Sequence, residues 1–214
     1  MIKSSDLYRQ DQKPLLIFGA GGHGRVVADA ALLQGGWVNV TAGARSLPAN
    51  LTELLTGVTL VELDAVLPLD MALHIAIGNN TARQAEAQVL GLEKLVSVVH
   101  PRACISAFSQ IGAGCFVAAC AVIAPSATLG MCVIVNHGAV IDHDTEIGDF
   151  SHVAQLATVC GHAKLGERVL IGSGAVVLSS VVLGDDVVLS PGSVARSNLL
   201  APGVYSGSPA VKIE

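Results

Sequence analysis

The chain is 214 residues long and 51% hydrophobic, enough for a packed core, yet only 3% of it is aromatic, so that core must be built from Val, Ile, Leu and Ala. This composition excludes a disordered chain, and a net charge of -5 with no basic run removes the electrostatic footprint that a nucleic-acid partner requires. The five cysteines are odd in number and show no C-x-x-C spacing, and the N-terminus does not read as a secretory leader, so a reducing, cytoplasmic setting without disulfides is expected.

In chain order, Leu15-Leu16-Ile17-Phe18 reads as a short buried strand. Gly19-Ala20-Gly21-Gly22-His23-Gly24 follows as G-x-G-x-x-G, and a helix is predicted from Arg25 to Gln34. A dinucleotide site of this form also needs an acidic residue roughly 20 positions on to hold a ribose hydroxyl. None occurs between Ala31 and Thr52. NAD is therefore disfavoured, and the loop reads either as an anion cradle at a helix N-terminus or as a plain tight turn. Another strand, His74-Ile75-Ala76-Ile77, ends in Gly78-Asn79-Asn80-Thr81 and leads into a helix from Ala82 to about Leu90. Residues 1–97 are thus expected to form a small Rossmann-like α/β domain. Its loops carry Gly21, Gly22, His23, Gly78 and Thr81 at the carboxyl ends of parallel strands, where open α/β sheets take ligands; a phosphate-bearing ligand suits them.

Residues 103–141 contain no Asp, Glu, Lys or Arg over 39 positions, a stretch that hydropathy alone would flag as a membrane span. A regular repeat argues against a span. From Ile105 to Leu189 an aliphatic residue recurs at every sixth position, fifteen in succession, and four places after each stands a small or β-branched residue, from Ser109 to Ser193. Neither helical nor simple strand periodicity produces this. It fits a parallel β-helix of 18-residue triangular coils over residues 98–214, with the aliphatic residue inward and the small residue at the tight corner. Gly112, Gly130, Gly148, Gly166, Gly172 and Gly184, each just after an aliphatic, mark either a turn or the approach of another backbone. Coils stack at about 4.8 Å, so residues 18 apart lie one above the other.

Histidines carry the candidate chemistry. Asn136-His137 and Asp142-His143-Asp144 place two imidazoles, two carboxylates and an Asn on outward positions of an otherwise uncharged stretch. His143 is followed at once by Asp144, whose carboxylate can orient the ring and raise its basicity. The 18-residue ruler puts Gly161 one coil above His143, where it leaves the imidazole uncovered and offers a backbone N–H to a developing oxyanion. His152 reads equally as a functional donor or a plain surface side chain. The spacing 137/143/152/162 contains no close histidine pair of metal-ligand type, so no metal is expected, and the cysteines read as small core residues.

The hexapeptide array, Ile141-Asp142-His143-Asp144, the opening Gly19-Ala20-Gly21-Gly22-His23-Gly24, the Ile75-Ala76-Ile77-Gly78-Asn79-Asn80 strand end and the closing Gly207-Ser208-Pro209-Ala210 together resemble the NeuD/PglD-type sugar O/N-acetyltransferases. The resemblance implies an N-terminal domain that binds a nucleotide-linked amino sugar. It also implies a left-handed β-helix that forms a homotrimer, with acetyl-CoA in the groove between adjacent β-helices. It makes His143 the base, Asp144 its orienting acid and Gly161 the oxyanion donor, with Asn136, His152, Ser173 and Pro191 lining the acetyl-CoA groove. The expected activity is N-acetylation in surface-polysaccharide biosynthesis by direct transfer; sugar O-acetylation and a catalytically silent β-helix module are the alternatives. One departure concerns the acceptor. Where family members carry an acidic pair after the second strand, this chain reads Val38-Asn39-Val40-Thr41-Ala42-Gly43-Ala44-Arg45, leaving Asn39, Thr41 or Arg45 to contact a base or phosphate.

Overall fold

The computed structural model describes residues 2–3, 13–47, 51–63 and 71–214. In the N-terminal part, β1 (Leu15–Phe18), α1 (Gly22–Gln34), β2 (Val40–Ala44), β3 (Glu53–Leu55), β4 (Val58–Glu62), β5 (Ala72–Ile75) and α2 (Asn80–Leu90) follow one another. The sheet order is β3-β4-β2-β1-β5, parallel except for the β3–β4 hairpin. β1 is buried on both faces, which is why it reads as an unbroken apolar run. Both helices begin earlier than the sequence suggests. α1 starts inside the glycine loop, because Gly24 belongs to its first turn: a Cβ there would run into the Gly19 carbonyl. α2 starts at Asn80 because the Asn79 side chain accepts from Ala82 N at 2.9 Å and caps it. β5 ends two residues before the expected Ile77, leaving Ala76 to Asn79 as the loop.

From Val98 onward the chain winds into a left-handed parallel β-helix. Its two-residue strands pair with residues 18 away, as in Phe116↔Ile134 and Val122↔Val140. Each coil crosses three faces, told apart by the outward residue of each strand. The docked face presents Val98, Phe116, Ile134, His152, Leu170 and Val188; the valine face Cys104, Val122, Val140, Thr158, Val176 and Val194; the polar face Gln110, Thr128, Glu146, Lys164 and, in its last coil, Val182.

The register of inward residues is as the repeat implies, but the corners are built differently. The residues four after each aliphatic, such as Ala121, Ala139, Thr145 and Ala163, are fully buried and fill the core. The tip lies one position earlier. From 114 to 192 every sixth residue has positive φ, whether Gly114 and Gly138 or Phe150, Leu156 and Arg168, so the coil geometry imposes the left-handed conformation on bulky side chains. The post-aliphatic glycines serve the second of their two expected purposes. A Cβ on Gly112 or Gly148 would strike the carbonyl of Gly130 or Gly166 in the next coil.

The α/β unit sits on the docked face. Phe116, Ala118 and Ile134 pack with Ile17, Val27, Ala28 and Ala31; Cys132 and Phe150 pack with Leu73, Ile75, Ala87 and Leu90. All five cysteines are free. Cys115 and Cys132 are buried as expected, but Cys104 and Cys120 are exposed, one on an outward strand position and one at a corner tip. No helix among the described residues is long and apolar enough to cross a membrane.

Candidate active site

The corner between the valine and polar faces carries Asp142, His143 and Asp144. The corner is tightly determined: Asp142 Oδ1 accepts from His143 N at 2.8 Å, Thr145 Oγ1 donates to Asp142 O at 2.8 Å, and Asp144, at positive φ, donates its N–H to Pro125 O at 3.2 Å. Asp144 Oδ2 then lies 2.8 Å from His143 Nδ1. That hydrogen bond, with the charges of Asp142 and Asp144 behind it, raises the imidazole pKa above its ordinary value.

Gly161 is buried directly beside the ring. A Cβ there would come within 2.7 Å of His143 Cε1 and Nε2, so only glycine allows the imidazole to rest on the backbone. Gly161 O accepts from Ser180 N at 3.0 Å, while its own N–H meets no acceptor among the described residues. His162, next along, was not picked out as functional by the sequence. Its N–H donates to His143 O at 3.0 Å, and its ring stands edge-on to His143 with centroids 5.2 Å apart.

The other candidate residues gather elsewhere. Asn136, Ser173 and Pro191 share the corner between the docked and valine faces, with Asn136 buried and Ser173 Oγ donating to Gln155 Oε1 at 2.9 Å. His152 is no surface side chain. It projects from the docked face beneath the α/β unit, its Nε2 3.2 Å from Asn136 Nδ2 and its Nδ1 3.4 Å from Gly78 O. Burial first, then the charge of Arg83, push its pKa down to about 4. His23 joins this cluster, 6.4 Å from the His152 ring and edge-on to Phe116 at 5.3 Å. Its Nε2 is buried without a partner among the described residues, and burial lowers its pKa to about 3. Thr81 lies exposed in the first turn of α2, and a Cβ on Gly21, Gly22 or Gly78 would meet nothing within 4 Å. Those loops therefore face open space.

The cluster rests on Arg83, which the sequence reading missed. Fully buried, its guanidinium donates to Ile77 O, Gly78 O and Asn80 Oδ1 on its own side and to Cys132 O, Phe150 O and Ser151 O on the β-helix, at 2.6 to 3.3 Å. Asn80 Nδ2 extends the seam to Arg168 O and Val169 O. The signal was a charge at 83 on the stripe that buries Ala87 and Leu90. Arg45, a candidate for the base or phosphate, is paired with Glu86 at 2.6 Å.

A groove of about 890 Å³ runs along the polar face, bounded by Ser126, Asp144 and His162 on the side of the His143 corner and by Gly130, Met131 and Asp149 on the other.

Residues 14–90 match the family model of the PglD N-terminal domain, and residues 162–196 match that of the bacterial transferase hexapeptide (six repeats). No curated protein matches the chain significantly. Among solved structures, PerB from Caulobacter crescentus, in complex with CoA and GDP-perosamine, is 30% identical with a TM-score of 0.85, over 94% of this chain and 97% of that one. The acetyltransferase domain of PglB from Neisseria gonorrhoeae, also solved with acetyl coenzyme A, is 28% identical with a TM-score of 0.86, over 94% and 100%. WeeI from Acinetobacter baumannii shares the fold at 21% identity and a TM-score of 0.74.

Proposed function

The chain belongs to the NeuD/PglD-type sugar acetyltransferases, enzymes that draw their acyl group from acetyl-CoA, and within that family we propose that it N-acetylates the amino group of a nucleotide-linked amino sugar in glycan assembly. The observation that carries this reading is the His143 imidazole resting on the Gly161 backbone with Asp144 on its far nitrogen. Asp144 holds the proton on Nδ1 and leaves Nε2 to act as the base. The sugar nitrogen attacks the thioester carbonyl and gives its proton to Nε2, while the oxyanion is met by Gly161 N–H. The C–S bond then breaks, and the proton passes from His143 to the coenzyme A thiolate. Nitrogen rather than oxygen as the acceptor atom follows the PerB likeness, since that protein binds an amino sugar carried on GDP.

The acceptor loops and the base of one chain lie on opposite sides of the β-helix, because the corner with His143 is the vertex facing away from the docked face. The valine face between them is half-buried and apolar, with Val122, Val140, Val176 and Val194 outward. Both features support a homotrimer, in which one chain's His143 meets the Asn136, Ser173 and Pro191 corner and the acceptor loops of its neighbour. Five free thiols favour a reducing, cytoplasmic setting. Release of coenzyme A thiol across a panel of nucleotide amino sugars and free sialic acids tests the reading. Turnover with an amino sugar carrier supports it, and turnover with sialic acids alone overturns it.

A further inference from the structure

We propose that His143, Asp144 and His162 form a binding site for a divalent transition cation of the zinc type, and that the bound cation switches off the base. One donor atom from each of the three side chains lies within 4.8 Å of the other two. Asp144 Oδ2 is 2.8 Å from His143 Nδ1 and 3.8 Å from His162 Nε2. Small torsional shifts bring such a set to the roughly 3.3 Å donor separations of a tetrahedral cation with bonds of about 2.0–2.1 Å. Two imidazole nitrogens and one carboxylate oxygen suit zinc and its neighbours; magnesium and calcium want oxygen throughout.

The scaffold holds the three donors in place. Asp144 and His162 occupy equivalent tips of successive coils, both at positive φ, and His162 N is bonded to His143 O. The register of the β-helix, not a loop, therefore brings the three together. Three protein ligands leave a fourth position to water, on a corner that solvent reaches. Acetyl transfer uses His143 and Asp144 but gives His162 no part.

The consequence for activity rests on the transferase reading; the site itself does not. A cation on His143 Nδ1 leaves the remaining ring proton on Nε2, the nitrogen that must receive the proton of the sugar amine. It also draws the Asp144 carboxylate from the ring to the metal. The bound form is thus unable to accept a proton, and removing the cation restores it.

The test titrates Zn2+ alone by calorimetry, and Co2+ as a visible-absorption probe, into chelator-stripped whole protein as wild type, Asp144→Asn and His162→Asn. Asn is chosen at 162 because it tolerates the left-handed backbone there. Wild type should bind one Zn2+ per chain and give the absorption of four-coordinate Co2+, and both variants should bind about 10-fold more weakly or worse. Zn2+ should inhibit wild type reversibly, with EDTA restoring turnover, and His162→Asn should keep its metal-free turnover while needing about 10-fold more Zn2+ for the same inhibition. Absence of binding to wild type, equal affinity in His162→Asn, or binding that leaves turnover untouched overturns the proposal. Failure of the transferase reading would show separately, as no turnover in metal-free wild type, with the calorimetry still deciding the site.

Discussion

An imidazole on a solvent-washed corner has two tautomers of similar energy and its ordinary basicity, and neither serves a base that must accept a proton at one nitrogen. Asp144 changes both properties at His143, by accepting the hydrogen bond of Nδ1–H at 2.8 Å and by raising the ring's affinity for a second proton. His143→Ala should therefore lower turnover by about 10²–10⁴. Asp144→Asn should cost less, because an amide oxygen still accepts from Nδ1–H but brings no charge. Steady-state release of coenzyme A thiol measures both, and near-native turnover in His143→Ala would sink the assignment. This trio was legible in the chain: Asp144 adjoins His143, and Gly161 follows from a period of 18. His162 follows from the same period, 18 after Asp144, but the spacing of histidines along the chain passes over a partner that the stacking of coils brings to a carboxylate.

Among the elements, α2 has the most to explain, because its first turn is sewn to three successive coils through Arg83 and Asn80. Among the described residues the buried guanidinium meets carbonyl oxygens and an amide oxygen but no carboxylate, and burial lowers its pKa to about 10. Removing it strips a buried donor from Cys132 O, Phe150 O, Ile77 O and Asn80 Oδ1 at once. Arg83→Met should thus destabilise the fold by about 3–5 kcal/mol, read from denaturant unfolding; a loss within about 0.5 kcal/mol would make the seam ornamental.

The same seam shelters neutral histidines. His74 and His152 are held near pKa 4 and His23 near 3, chiefly by burial, against 6.5 for the exposed ring. At these three sites the folded chain then binds fewer protons than the unfolded one below pH 6.5. The stability these groups contribute is complete above 6.5 and is lost as pH falls towards 4. The urea midpoint should decline over that window, and a midpoint unchanged down to pH 4 would contradict it. Helical spacing places position 83 on the buried stripe, but only the docked β-helix supplies the carbonyls that make a buried cation tolerable.

At the scale of the whole molecule, the triangular coil separates the two sites that the proposed transfer combines. The docked face carries the loops proposed to hold the acceptor, the opposite vertex carries His143, and the valine face runs between them. Three chains packed through valine faces would turn that separation into three shared sites. Light scattering should find a trimer. Under subunit exchange, His143→Ala chains mixed with Ser173→Trp chains should recover activity that neither parent shows. A monomer, or no recovery despite proven exchange, would overturn the arrangement.

What the sequence determined by itself is whatever repeats or lies close along the chain. A period of six specifies the β-helix because every coil imposes the same inward positions, and a strand, a glycine loop and a helix in succession specify the α/β unit. Only the tertiary structure decided where those parts meet. His152 was indistinguishable from a surface histidine until Gly78 and His23 closed over it. The glycines after each aliphatic could have been turns or close approaches until the next coil's carbonyls filled the space beside them. The physical reason is common to both cases: burial and hydrogen-bond partners are supplied by segments tens of residues away, and a local pattern carries no record of which distant backbone will arrive.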